Sequence, residues 1–302
     1  MKAEKVWMDG KMVDWEKAQV HVCIHALHYG SGVFEGIRAY KTDRGTAVFR
    51  LKEHIDRLFN SAKILKMEIP YTKEEIRQAI KDTIKVNKLK SGYIRPLIYR
   101  GFEQLGVNPL KCPVNCAIAV WEWGAYLGEE ALKKGIRTKI SSYARSYINS
   151  TSQKAKICAN YINSVFAKME AIEAGVEEAI LLDTRGYVTE GSGENIFWIR
   201  NGVIYTTPTT TVLEGITRDS IIKIAQDMGY QVQEKYICRD ELYISDEVFF
   251  SGTAAEVTPI REIDNYQIGE GKRGPITEKI QEKFFTIVNG KDTEYFDWLD
   301  YI

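Results

Sequence analysis

The chain has 302 residues, with Lys+Arg 41 against Asp+Glu 41, a hydrophobic fraction of 44% and a charged fraction of 27%. The balanced charge excludes a protein that neutralises nucleic-acid phosphates, and the ordinary composition excludes a disordered chain. No apolar run reaches the roughly 18–20 residues of a membrane span, and the start, Met1 to Asp9, has no apolar signal core, so no membrane or secretory segment is expected.

Lys5 to Met8 and Lys11 to Val13 flank Asp9-Gly10, a pair that tolerates the positive φ of a hairpin turn. Val20, Val22 and Ile24 alternate with His21 and Cys23, which favours a strand. Val33 to Tyr40 and Ala47 to Arg50 follow as strands around the turn residues Asp43-Arg44-Gly45. Leu51, Ile55, Leu58, Phe59, Ala62 and Leu65 then recur at helical spacing, as do Ile76, Ile80 and Ile84 within Lys73 to Asn87. Tyr93 to Arg100 and Val114 to Trp121 are strand-like. Trp123 to Gly128, with two glycines and two large aromatics, interrupts the pattern as an interdomain linker.

Beyond it, Ile136 to Ser141 is predicted as a strand. Asn160 to Ala174 is predicted as an amphipathic helix with Ile162, Val165, Phe166, Met169 and Ile172 on one face, closed by Gly175. Strands are expected at Glu178 to Leu182, Asn195 to Ile199 and Val203 to Tyr205, with an Asn201-Gly202 turn. Thr217 to Met228 is a helix, Glu247 to Phe250 and Val257 to Ile263 are strands, and Pro275 starts a last helix. Without repeats or low-complexity tracts, the whole is α+β in two lobes. Five scattered cysteines, an odd number, suit a reducing cytoplasm.

Several motifs compete for a chemical role. His21, His25 and His28 have the spacing of helical metal ligands, but a strand separates His28 from the other two and no carboxylate is near, so structural histidines are expected and no metal. Gly269 to Gly274 spells a dinucleotide fingerprint but lacks a following βαβ unit, which makes it a surface loop. Cys112 and Cys116 lack a second pair for zinc. Gly215-Ile216-Thr217-Arg218 opens a helix whose N–H groups favour an anion, and Ser251 to Ala255 leaves a strand with small residues that let a ligand approach closely. With Thr206 to Thr211, these loops suggest a polar ligand at strand ends. Thr189 to Asn195 sets two carboxylates and an amide among glycines before an apolar strand; a bulge with exposed acids and a binding loop both fit.

Taken together, His28-Tyr29-Gly30, Val33-Phe34-Glu35-Gly36-Ile37-Arg38, Glu53 to Leu58, Tyr93-Ile94-Arg95-Pro96-Leu97, Glu190 to Asn195 and Ser251 to Glu256 resemble the branched-chain-amino-acid aminotransferases. These are class IV enzymes dependent on pyridoxal 5′-phosphate (PLP). The resemblance runs from about Val6 to the C-terminus and implies the two-domain D-amino-acid-aminotransferase-like fold (fold type IV). A small α/β domain is then expected over 1–122, a linker over 123–134 and a larger pseudo-barrel domain over 135–302, with the cofactor between the domains.

The resemblance also implies roles. Lys156, five residues before Tyr161, is similar to the lysine that bonds the cofactor, and Asn160-Tyr161 sets the register against Lys154. Glu190 resembles the carboxylate facing the pyridine nitrogen, and Tyr161 the partner of the phenolic oxygen. Arg57, Leu213, Gly215, Ile216, Thr217 and Thr253 resemble the phosphate cradle. Tyr29, Phe34, Gly36, Trp123 and Tyr126 resemble the apolar substrate wall, with Val107 offered across a dimer interface. Tyr93, Thr253 and Ala254 would take the α-carboxylate; Arg95 and Arg38 would take the side-chain carboxylate of glutamate or 2-oxoglutarate. Ile157-Cys158 and Glu214 stand where many relatives have smaller residues. The implied reaction moves the amino group of L-leucine, L-isoleucine or L-valine to 2-oxoglutarate, in a homodimer or a hexamer built from dimers. The alternatives are a D-amino acid or amine transaminase, aminodeoxychorismate lyase, or a non-catalytic binding protein on the same fold.

Overall fold

Helical spacing translates directly into buried faces. The computed structural model describes residues 3–124 and 126–302; Met1-Lys2, at the expected leaderless start, and Ala125, within the expected linker, lie outside the described residues. Leu51–Ile64 is a helix that buries Leu51, Ile55, Leu58 and Ala62. Lys73–Val86 buries Ile76, Ala79, Ile80 and Ile84, and a capping box starts it: the Thr72 side chain accepts from the Glu75 N–H while Glu75 accepts from the Thr72 N–H at 2.7 Å. Both faces pack into one core with Val33, Ile37, Val48, Ile94, Ile98, Ile118 and Val120. Those residues come from a sheet ordered Leu299–Tyr301, Gly45–Phe49, Ile37–Thr42, Gly92–Arg100, Val114–Trp121, Lys5–Met8, Lys11–Asp14, with Gly32–Phe34, which carries Val33, paired off that path with Gly92–Arg100.

The second sheet is ordered Val188–Gly191, Glu178–Leu182, Ile136–Ile140, Glu256–Ile263, Glu247–Gly252, Asn195–Arg200, Val203–Thr206, Val232–Glu234. Val188–Gly191 pairs with Asn195–Arg200 as well, through Glu190 opposite Asn195, and this closes the first six strands into a barrel. Ile180, Ile196, Trp198, Val248, Phe250 and Ile260 are buried in one apolar cluster of these strands.

The chain forms two compact units. One comprises the residues up to Gly124 together with Ala155–Asn160 and Ile287–Ile302; the other comprises residues 126–154 and Tyr161–Thr286. A single break near Trp123 does not describe this division. Backbone pairing explains the difference: Val33 bridges Ile157, and Leu299–Tyr301 pairs antiparallel with Gly45–Phe49.

Other expectations are corrected in part. Residues 20–24 form no strand; His25–Tyr29 is a short helix ended by Gly30 at φ 64°. Buried His25 bonds the Ser31 hydroxyl, whereas His28 donates to the Val22 carbonyl at 2.9 Å. Among the described residues, no three His, Cys, Asp or Glu side chains are arranged to hold a metal. The expected strand from Val33 to Tyr40 is split at Glu35-Gly36 into Gly32–Phe34 and Ile37–Thr42. The helix Tyr161–Glu173 turns its large apolar face outward: Ile162, Val165, Phe166, Met169 and Ile172 are exposed, while small Ala167 and Ala171 pack on Ala179 and Leu181. Small residues let that helix lie close to its sheet, so the bulkier side chains have no room beneath it. Residues 269–274 are a turn entering the helix Pro275–Val288.

Candidate active site

In the first unit, the strand Gly32–Phe34 holds the candidate nucleophile by its backbone. The Phe34 N–H donates to the Lys156 carbonyl at 3.1 Å, and the Lys156 N–H donates to Ser61 Oγ at 3.0 Å. The Lys156 amine lies 5.1 Å from the centre of the Phe34 ring, and the Arg95 guanidinium lies 4.7 Å from the same centre. Arg95 is also 5.3 Å from the Tyr93 ring, and its Nε is buried without a hydrogen-bond partner among the described residues. Tyr93 stands edge-on to Trp123 at 4.7 Å. Gly36 is required beneath it, because a Cβ there would come within 1.9 Å of the Tyr93 hydroxyl. Lys154, the rival amine, bonds Glu214 at 2.7 Å and the Thr209 carbonyl.

Arg57 is held side-on by Glu35. Its Nε donates to Glu35 Oε1 at 2.6 Å and its Nη2 to Oε2 at 2.9 Å, while His54 Nδ1 lies 2.7 Å from Oε2. Glu35 has no solvent exposure and His54 1%. Burial pushes the Glu35 carboxyl up, but the charge and hydrogen bonds of Arg57, helped by His54, outweigh it and hold the group well below the usual carboxylate range. The His54 imidazole is held below its usual range, chiefly by burial and further by the Arg57 and Lys156 charges, against the hydrogen bond and charge of Glu35.

Arg38 donates to the carbonyls of Trp123 and Gly124, at 3.2 and 2.8 Å, and so fixes the aromatic segment. Tyr29 and Val107 lie on the surface, 44% and 85% exposed. They are neighbours through His25, whose ring is 4.5 Å from that of Tyr29 and whose Nε2 is 2.8 Å from the Gly106 carbonyl.

In the second unit, Glu190 stands at the barrel seam. Arg145 Nε is 2.9 Å from its Oε1, and the Arg145 fork also donates to the Gly191 and Ser192 carbonyls at 2.7 and 3.1 Å. Asn195, across the seam, donates to Glu190 Oε2 at 3.5 Å and to the Leu213 carbonyl at 3.1 Å. Its Oδ1 would sit 1.9 Å from any Cβ at residue 215, which explains the glycine there. Gly215 opens the helix Ile216–Asp227 and no side chain caps it, so the N–H groups of the first turn and the helix dipole present an anion-binding end. The strand Glu247–Gly252, which leads to Thr253 and Ala254, carries a buried Ser251 hydroxyl without a partner among the described residues. Tyr161 is the first residue of its helix, and Tyr126 lies under the Lys168 amine at 5.5 Å from the ring centre.

Uncapped helix end, glycine cradle, orphaned hydroxyl and paired carboxylate form a donor set suited to a phosphorylated aromatic cation. The sequence motifs contain Glu35, His54 and Asn195 without signalling their use, and Arg145 stands outside every motif. Glu35, His54 and Arg145 each pair with a residue distant in the chain, whereas Asn195 meets Glu190 only five positions away.

Buried Glu194 adds a pH dependence. Burial, reinforced by the Glu178 carboxylate, pushes its carboxyl up from 4.5 to about 8. The folded chain therefore keeps a proton that the unfolded chain releases, and stability falls as pH rises from about 4.5 to 8, at no more than ~1.4 kcal/mol per pH unit. Glu194→Gln is expected to flatten that slope in urea unfolding between pH 5.5 and 7.5. An undiminished slope in the variant would assign it to other groups.

A model of the class IV amino-transferase family matches residues 32–263. The branched-chain-amino-acid aminotransferase of Pseudomonas aeruginosa is 52% identical over 293 residues, covering 97% of this chain and 95% of that one. The crystal structure of the T.th. branched-chain amino acid aminotransferase with pyridoxamine 5′-phosphate superposes with a TM-score of 0.97 at 54% identity, covering 100% of this chain and 99% of that one. The same enzyme complexed with N-(5′-phosphopyridoxyl)-L-glutamate gives 0.97 at 53% identity over the same shares. The chain belongs to the class IV aminotransferases, among the branched-chain-amino-acid aminotransferases.

Proposed function

We propose that the protein transfers the amino group of L-leucine, L-isoleucine or L-valine to 2-oxoglutarate, using PLP and releasing the branched 2-oxo acid and L-glutamate. One observation carries the reading: the Lys156 amine and the Arg95 guanidinium flank a single apolar ring, Phe34. An amine is thus set beside both an apolar surface and a carboxylate receptor, the two chemistries that the paired substrates require. The relatives named for this reaction, and a structure with a phosphopyridoxyl-glutamate adduct, support it.

PLP, when bound, supplies an electron sink for the pair left at the substrate's Cα. Lys156 would hold the cofactor at its aldehyde carbon, and its amine would carry the proton taken from the substrate's Cα. Glu190, backed by Arg145, would balance charge at the pyridine nitrogen, and Tyr161 would donate to the phenolic oxygen. Arg57 of the first unit, and Leu213, Gly215, Ile216, Thr217 and Thr253 of the second, would hold the phosphate. Phe34, Gly36, Tyr93 and Trp123 of the first unit, and Tyr126 of the second, would meet the branched side chain; Thr253 and Ala254 would take the α-carboxylate, and Arg95 the second carboxylate of the acidic substrate. Arg38 acts through the Trp123 and Gly124 carbonyls that it binds.

The exposed apolar face of Tyr161–Glu173 and the exposed Tyr29–Val107 pair support a homodimer, in which Tyr29 and Val107 serve the partner's pocket. Five unbridged cysteines support a cytoplasmic location. Among the described residues, no helix is long and apolar enough to cross a membrane.

The test is a half-reaction panel on the PLP-loaded protein. L-leucine, L-isoleucine and L-valine are expected to bleach its visible absorbance, and 2-oxoglutarate to restore it with formation of L-glutamate. Bleaching by D-alanine with none by the L-branched substrates would sink the proposal in favour of a D-amino acid transaminase.

A further inference from the structure

We propose that Glu35 is a positioning residue for cofactor phosphate: it sets the plane of the Arg57 fork and ties that plane to the backbone that carries Lys156. The proposal rests on the reading of Arg57 as a phosphate ligand. A carboxylate with no exposure is costly to bury unless it is paired with a cation and hydrogen-bonded. Glu35 meets that condition with Arg57 Nε at 2.6 Å, Arg57 Nη2 at 2.9 Å, His54 Nδ1 at 2.7 Å and the Gly36 N–H at 3.3 Å. Two parallel bonds to one guanidinium fix its plane as a single bond cannot.

The arrangement reaches Lys156 by two short paths. Glu35 follows Phe34, whose N–H holds the Lys156 carbonyl, and its own N–H donates to the Pro96 carbonyl at 2.9 Å. Arg57 lies one helical turn before Ser61, whose hydroxyl accepts from the Lys156 N–H. His54, one turn before Arg57 on the same helix, steadies the carboxylate from the other side. The break in the strand at Glu35-Gly36 is what turns this carboxylate toward the helix rather than into the sheet.

Charge and geometry make opposite predictions here. Glu35 neutralises Arg57, so net charge alone says that removing it tightens phosphate binding. Positioning says that removal loosens it. The experiment measures cofactor release from PLP-loaded wild type, Glu35→Gln, Glu35→Asp and Arg57→Gln in buffer containing inorganic phosphate, followed by visible absorbance. It is repeated with pyridoxal, which lacks the phosphate.

Glu35→Gln is expected to weaken PLP retention about 10- to 100-fold while changing pyridoxal affinity less than about threefold. Glu35→Asp, which keeps the charge but withdraws it by one methylene, is expected to show the same selective loss, and it serves if the glutamine variant does not fold. Unchanged or tighter PLP retention in either folded variant, with a loss in Arg57→Gln, overturns the proposal and leaves Arg57 as a ligand. A parallel loss of PLP and pyridoxal overturns it too, because a merely structural role predicts that. Unchanged retention in Arg57→Gln overturns the reading of Arg57 itself, and this proposal with it.

Discussion

Lys156→Ala is expected to lose at least about 10⁴-fold in turnover while folding normally. The nucleophile and the proton carrier are one amine, so a single truncation removes both. What holds the residue in place is its backbone: the Lys156 N–H to Ser61 and its carbonyl to Phe34 survive the substitution. The variant should therefore bind PLP through the phosphate contacts yet show no bleaching with L-leucine. A small exogenous amine should restore part of the proton transfer, which separates missing chemistry from misfolding. Wild-type turnover in the variant would assign the reaction to another amine. Lys154 is poorly suited, because it is engaged by Glu214 and the Thr209 carbonyl.

Glu190→Gln is expected to lower kcat by about 10²- to 10³-fold and also to destabilise the fold. The two effects have different origins. A neutral amide no longer balances charge at the pyridine nitrogen, which is the kinetic loss. It also strands Arg145, 7% exposed, without its counter-charge. Removing one partner of a buried pair costs about 3–5 kcal/mol. Adding Arg145→Gln removes the stranded charge, so the double variant should recover much of the unfolding free energy and none of the turnover. Recovery of kcat in the double variant would show that Glu190 matters for stability rather than chemistry.

Legibility in the sequence tracked the range of the interaction. Leu51–Ile64 and Lys73–Val86 could be read within a residue or two, because helical spacing is a local pattern. Barrel closure through Glu190 and Asn195 could not, since no local pattern records which strand edges meet. Helix Tyr161–Glu173 shows the limit of amphipathicity: the apolar stripe was legible, but whether it faces a core or solvent is decided by the small residues opposite. The histidine-rich stretch failed because three alternating apolar residues are too short a pattern to outweigh the helix at His25–Tyr29. Among site residues, those within contiguous motifs stood out through resemblance. Glu35 was hidden by its place in an apolar run, where a lone carboxylate is itself the signal that a buried cation waits elsewhere in the chain.

The threading of the first unit has a consequence for synthesis. Its core needs the segment Ala155–Asn160 and the edge strand Leu299–Tyr301, so the part translated first is the part completed last. Until Leu299–Tyr301 is made, the strand Gly45–Phe49 lacks that neighbour along one side, and an unpaired strand edge is an aggregation liability. Loss of the final sixteen residues (Ile287–Ile302) should accordingly weaken the beginning of the protein.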